Sequence, residues 1–584
     1  MKRRLWISLS VLLACGVVFA VGALEQLTKP KPELQTMLPE GALLSIEARD
    51  FGSMLHDWNT SVEKRAWLSS DNHVAFSTSR LFARLSQAQD EFSAAAGLQA
   101  DSSLLEKVAG KESCLGLYDI GNLEFVYVTR LEQRDIENTP LWQIRAKFEQ
   151  RSEAGTPFYV HKDAQSSRVA AFAVRDGWLI LATREDLVAG VLDRLAGAAS
   201  HSLASEGWFA EAVKQAPAER GDLRMVLDLE TIVRTPYFRS YWVQRNITDM
   251  KQYASAVSDL YRTSQSYREE RVLVRRAGLP AQHAGDVNGL SALAPDDAAF
   301  YAAQAAPSSE AVLRTLREDL LEARPQPVAD SYTSAPPAVA IGNAGTAAQL
   351  DVIIDQAPVA VKQSDSYASL RALLLQQPPE ASLAVYSTRA PRDGVFVSTQ
   401  AALVLSASQD WDRNAVCEAL ASALLPGLTT GRSGLQWEKR SSSEKGSVSA
   451  QEYLALDGAV PLFLSVKGKQ LILANDALLL EHMLARRQKA APAGENANLT
   501  YAAVFHHTQE RNNYRRLMAQ LDLAGHHGRP DEQGTAAGGQ TPAFFSGDAA
   551  SLSRVFSKVE SERIEERDQG AKVTQTVTYQ WVHD

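Results

Sequence analysis

The chain reads as α+β, with mostly antiparallel sheets and helices packed on them. Three observations carry that reading. Short apolar strands come in pairs joined by tight turns. Amphipathic helices follow such pairs. One strand–turn–strand–helix pattern occurs twice, at Phe172–Leu195 and Leu464–Arg487. With 584 residues, 45% hydrophobic and 22% charged, the chain has ordinary globular composition and length for about three to five domains. A net charge of −9 argues against a non-specific nucleic-acid binder, which needs a basic face to neutralise phosphates. Three cysteines exclude a disulfide-stapled scaffold.

The first element is a membrane segment. Lys2, Arg3 and Arg4 precede an uncharged run, Leu5–Leu24, long enough at about 1.5 Å per residue to cross about 30 Å of hydrocarbon. The basic start orients the N-terminus to the cytoplasm and the body beyond it. A retained single-pass anchor fits the whole run. A cleaved signal ending near Val21-Gly22-Ala23 is a second reading, and lipidation at Cys15 after Leu12-Leu13-Ala14 is a third. The expected place is the inner membrane, with the body in the periplasm or otherwise outside the cytoplasm. Residues 25–37 hold Lys29-Pro30-Lys31-Pro32 and read as a stiff tether.

Two α+β halves follow, 38–276 and 295–584, joined by a Gly-rich linker at 277–294. The repeated pattern aligns without gaps, pairing Leu179 with Leu471, Ile180 with Ile472, Leu181 with Leu473 and Arg194 with Arg486. The turns are read at Asp176-Gly177 and Lys467-Gly468, and the helices dock through Leu187, Leu192, Leu479 and Leu484, with Arg194 and Arg486 expected to stay solvated near the helix C-termini. Flanking strands extend the match: Phe125–Thr129 parallels Ala402–Leu405, and Leu223–Leu229 parallels Tyr501–His506. A Pro–acid–strand element opens at Pro39-Glu40 and Pro379-Glu380, more loosely at Pro295-Asp296. Long loops are expected at 323–348 and 525–547, and a C-terminal hairpin over Ser561–Arg567 and Val573–Trp581. An apolar stripe of Leu81, Leu85, Ala88 and Phe92 marks a helix over Arg80–Ala95.

A basic start, one apolar anchor, a Pro-rich tether and then Leu38-Pro39-Glu40-Gly41-Ala42-Leu43-Leu44-Ser45-Ile46 resemble an uncharacterised bacterial family of membrane-anchored extracytoplasmic proteins. The resemblance implies an envelope location and no activity.

Motifs for chemistry are sparse. The chain has no phosphate loop, no His-Glu-x-x-His and no Gly-x-Ser-x-Gly elbow. Ser-x-x-Lys occurs at Ser61–Lys64 and Ser442–Lys445 without a companion Lys-Thr-Gly. His506-His507 sit side by side and point to opposite faces of a strand, and His526-His527 fall in a Gly-rich loop, so neither pair defines a metal site. No cofactor is implied. The polar and aromatic segment after the first strand offers the candidate binding residues His56, Asp57, Trp58, Glu63 and Lys64, with Trp58 and Trp67 as stacking surfaces. A similar cluster is Tyr237–Trp242. Cys114 and Cys417 fall in different halves, and their pairing is left open. The function expected is a non-catalytic, membrane-tethered envelope protein that binds another envelope protein. The alternatives are an envelope hydrolase or transferase with an unfamiliar acid/base pair, or a ligand carrier with a cleft between the halves.

Overall fold

The computed structural model describes residues 33–581 except 70, 198–200, 237–249, 280–284, 322–366, 390–397, 429–436, 442–450, 457–460, 490–498 and 509–558. The expected anchor with Cys15, most of the tether, part of the linker, both long loops, Tyr237–Trp242, Ser442–Lys445 and His526-His527 therefore lie outside the described residues. Among the described residues no helix is long and apolar enough to cross a membrane.

The chain is α+β, with antiparallel strands. It forms two compact units, one of 1–47 with 91–210 and one of 48–90 with 211–584. The first unit carries β1 (Leu44–Ala48), β2 (Ser113–Asp119), β3 (Glu124–Arg130), β4 (Glu149–Glu153), β5 (Thr156–Lys162), β6 (Val169–Arg175) and β7 (Trp178–Ala182). Their order across the sheet is β1-β2-β3-β7-β6-β5-β4. Strand β7 is buried at every position, because β3 and β6 flank it and the helix Glu185–Leu195 packs Leu187, Val188, Val191 and Leu192 inward. Asp176 and Gly177 both have positive φ, the backbone that a two-residue hairpin turn requires. Edge strand β4 is exposed at four of five positions and charged, which blocks further pairing.

The second unit carries β8 (Leu223–Asp228), β9 (Tyr253–Arg262), β10 (Ser266–Arg275), β11 (Phe300–Ala305), β12 (Pro379–Arg389), β13 (Ser398–Ala407), β14 (Glu438–Ser441), β15 (Glu452–Leu456), β16 (Leu462–Lys467), β17 (Gln470–Ala474), β18 (Leu499–His506), β19 (Val559–Asp568) and β20 (Lys572–Trp581). Their order is β8-β9-β10-β20-β19-β18-β11-β12-β13-β17-β16-β15-β14. Among the described residues two apolar cores cover the part of this sheet from β18 through β11, β12, β13, β17 and β16 to β15. One joins Ile472 and Val404 to Leu479, Leu480 and Met483 of the helix Ala477–Lys489. The other sets Leu403, Leu405, Leu471 and Leu473 against Leu313, Leu316 and Leu320 and against Val416 and Leu420 of the helix Arg413–Leu428.

Registers agree between the two units. Leu179 faces Thr129 and Val174; Leu471 faces Leu405 and Val466. Phe125 N donates to Thr183 Oγ1 at 2.9 Å, and Ala401 N donates to Asn475 Oδ1 at 2.8 Å. Leu43 N donates to the Leu117 carbonyl as Ala299 N does to that of Tyr386. The six matched residues, Leu179, Ile180, Leu181, Leu471, Ile472 and Leu473, are all buried.

Four details differ from the sequence reading. The second hairpin turn is Gly468-Lys469, since Lys467 pairs with Gln470; Gly468 takes the positive φ that Asp176 takes in β6–β7. Leu85 is exposed while Phe92 is buried, so the stripe on the helix Arg80–Ala96 is uncovered at Leu85 and covered at Phe92. Arg194 is half-buried and donates to the Gly190 and His201 carbonyls. Arg486 is likewise held, by Asp296 at 2.8 Å and the Ala292 carbonyl at 2.9 Å. Both stand close to carbonyls that need donors, which outweighs full hydration.

Candidate binding surface

The sequence-derived candidates fall on two short helices. His56, Asp57 and Trp58 lie on the helix Phe51–Thr60 and are exposed. Glu63 and Lys64 lie on the next helix, Val62–Leu68. Asp57 reaches Arg262 at 3.4 Å. Lys64 Nζ donates to the Asn59 amide oxygen. The Ser61 hydroxyl accepts from Lys64 N at 3.0 Å and donates to the Trp58 carbonyl at 2.7 Å. Ser61 is therefore a helix cap, and the Lys64 ammonium is turned to Asn59 instead of to its hydroxyl. Trp67 meets His73 and Phe76 edge-on or tilted at 6.1 and 6.3 Å.

A second group of residues, which the sequence did not single out, lies on the β9–β10–β20–β19 ribbon. Alternation places Arg262, Tyr267, Glu269, Arg271, Gln575, Tyr579, Trp581 and Glu562 on one face, because directly paired residues share a face. Most of them are half-exposed, and Tyr267 is more so. Tyr267 packs edge-to-face on Trp581 with centroids 4.9 Å apart. Arg271 grips Glu269 through two bonds of 2.6 and 2.7 Å and reaches Gln575 at 2.9 Å. Ser258 Oγ donates to Glu269 at 2.5 Å. Burial pushes the Glu269 carboxyl up, but the bonds from Arg271 and Ser258 and the Arg271 charge outweigh it, so it sits below the usual carboxylate range. The hydrogen bonds that Arg271 donates to Glu269 raise its guanidinium above its ordinary value. On the opposite face Arg268 lies over the Tyr261 ring at 4.3 Å, and Arg563, Glu565 and Arg567 form a ladder of ion pairs. A surface signal existed in the alternating Tyr267-Arg268-Glu269-Glu270-Arg271. Charge on both faces of the strand hid it, since apolar alternation is what marks a strand.

Other polar groups are placed for structure. Arg224 and Asp259 form a buried bidentate pair at 2.8 and 2.7 Å. Arg275 meets Asp568 at 2.6 Å, also buried. A cleft of about 510 Å³ in the first unit is lined by Pro39, Glu40, Tyr118, Arg184 and Arg194; the Tyr118 hydroxyl is spent on the Pro39 carbonyl at 2.8 Å. Cys114 and Cys417 are free thiols. Burial pushes the Cys114 thiol up to about 12, which removes its reactivity at neutral pH. Among the described residues no group of three or more His, Cys, Asp or Glu is arranged to hold a metal ion.

No family model matches the chain, and no curated protein does. Among solved structures, one described as the structure of crystal form I of TP0453 is similar at 9% sequence identity and a TM-score of 0.22, over 43% of this chain and 82% of that one. A likeness of that size carries no argument.

Proposed function

We propose that this protein is a non-catalytic component of the bacterial cell envelope, anchored in the inner membrane by residues 5–24, whose body outside the cytoplasm binds another envelope protein. The observation that carries the binding reading is the Tyr267, Arg271, Tyr579 and Trp581 face of the β9–β10–β20–β19 ribbon. Tyr, Trp and Arg dominate protein interface energetics, and here Tyr267 packs on Trp581 while Arg271 is held by Glu269 and Gln575, which lowers the entropy lost on docking. A photo-crosslinking residue at Tyr267 is expected to trap one stoichiometric protein in intact cells. The same residue at Glu149, on edge strand β4, is expected to trap none. Equal, diffuse labelling from both sites would reject the reading.

We also propose that the body is a tandem duplication. The matched registers of β3–β7–β6 and β13–β17–β16 support it. So do the paired side-chain caps by Thr183 and Asn475 and the hydrogen bonds from Leu43 and Ala299. On this reading β1 to β10 correspond in order to β11 to β20, and Pro39-Glu40 matches Pro295-Asp296, the looser of the two matches that the sequence offers. The hairpin β9–β10 becomes the counterpart of the C-terminal hairpin.

A further inference from the structure

One row of large side chains crosses six strands of the second unit. Register sets Tyr386 of β12 opposite Phe300 of β11, and Phe300 opposite Phe505 of β18. Phe505 stands opposite Glu562 of β19, Glu562 opposite Tyr579 of β20, and Tyr579 opposite Tyr267 of β10. Directly paired residues share a face, so the row continues the face that carries Arg271 and Trp581. Ring contacts agree: Phe300 stacks on Tyr386 at 5.8 Å and meets Phe505 at 6.0 Å. All six side chains keep some solvent exposure. At about 4.8 Å per strand the row is about 24 Å long.

Two carboxylates stand in this row of rings. Glu562 lies between Phe505 and Tyr579, with His507 at 3.7 Å, a group charged only when protonated. At the far end Asp319, on the helical turn Leu316–Leu321, accepts the Tyr386 hydroxyl at 2.7 Å. The charge that acts on Asp319 is that of Glu318, of its own sign. Cations nearby already hold carboxylates: Arg271 grips Glu269, Arg262 reaches Asp57, and Arg317 pairs with Glu318. No Lys or Arg among the described residues pairs with Glu562 or Asp319. A carboxylate flanked by aromatic faces is a seat for a cationic side chain, which gains an ion pair and a ring contact together.

We propose that this row seats an extended basic segment of the protein partner, with two Lys or Arg side chains four residues apart reaching Glu562 and Asp319. The spacing follows from the sheet. Tyr386 to Glu562 is three strand intervals, about 14 Å, and residues i and i+4 of an extended chain share a face about 13–14 Å apart. The inference rests on the protein-partner reading of the ribbon and extends that surface from β20 to β12.

The test places a photo-crosslinking residue at Phe300 of the full chain in intact cells, beside the same residue at Tyr267, and maps the trapped peptide by mass spectrometry. Both positions are expected to trap one protein, and the Phe300 adduct to fall in a segment with basic residues four apart. Glu562→Lys is expected to weaken the Phe300 band tenfold or more, and Glu562→Gln, the milder change for folding, to weaken it as well. Glu452→Lys, the same charge change at an exposed position of β15, is expected to leave it unchanged. Exchanging the mapped basic residue of the partner for Glu is expected to restore the band with Glu562→Lys. Trapping from Tyr267 but not from Phe300 overturns this inference and keeps the ribbon reading. So does a shared band that neither Glu562 variant weakens, or that Glu452→Lys weakens equally. No band from either position rejects both.

Discussion

Asp259 is fully buried, and its two oxygens meet Nε and an Nη of Arg224. Removing one partner strands a charge away from water, so Asp259→Ala is expected to cost about 3–5 kcal/mol in denaturant unfolding. Carboxylates on the ribbon divide by sign. Glu269 is held below the carboxylate range, so its contribution is present above the unfolded pKa and is lost as pH falls through the folded one. Burial, with Asp568 adding to it, raises Glu566. Its folded form keeps a proton longer than the unfolded chain does, so stability rises as pH falls through that higher pKa. Glu566→Gln is therefore expected to stabilise the protein at pH 7, and Glu269→Gln to destabilise it there and to flatten the acid limb. Urea midpoints measured from pH 3 to 8 on both variants check the signs. Neither pair could be read from sequence. Carboxylates two apart on a strand share a face, but what faces them is set by strands hundreds of residues away, as with Arg271 and Gln575.

Elements were the most legible level. Leu179-Ile180-Leu181 and Leu471-Ile472-Leu473 are apolar on both strand faces, which only a covered central strand explains, and all six side chains are buried. Leu181→Ala and Leu473→Ala are each expected to cost about 2–5 kcal/mol by leaving cavities. Thr183→Val and Asn475→Leu remove the acceptors for Phe125 N and Ala401 N. Each is expected to cost about 1–3 kcal/mol, and similar losses at both sites, read by thermal unfolding, would fit a repeated device. The turn after β16 lies one residue beyond Lys467-Gly468, which resembles a turn dipeptide, because register assigns the positive φ to the first loop residue, Gly468. The hairpin β9–β10 is not legible in sequence because β10 carries charge on both faces. The hairpin β19–β20 was legible from Val573 and Val577, which are buried as alternation requires.

At the scale of the whole molecule, composition and the N-terminal run pointed to a membrane-anchored body. The absence of catalytic motifs pointed to binding. The residues proposed for that binding differ from those the sequence favoured. His56, Asp57 and Trp58 stand out in sequence as a mixture of polar and aromatic groups, and the structure leaves them exposed. Trp58 stands exposed on the helix Phe51–Thr60, whereas Tyr267 packs on Trp581 and Arg271 is held by Glu269 and Gln575. Sequence order conceals that cluster, since Tyr267 and Trp581 meet only through the pairing of β10 with β20. The central claim is that this ribbon face holds a protein partner outside the cytoplasm. The most direct measurement is crosslinking from Tyr267 in intact cells, made with the native chain and with Arg271→Ala and Trp581→Ala. A single crosslinked band that weakens by tenfold or more in either variant, while both variants remain folded at the temperature of the crosslinking, is the predicted result. A band of equal strength in the native chain and both variants, or none in any of them, would contradict it.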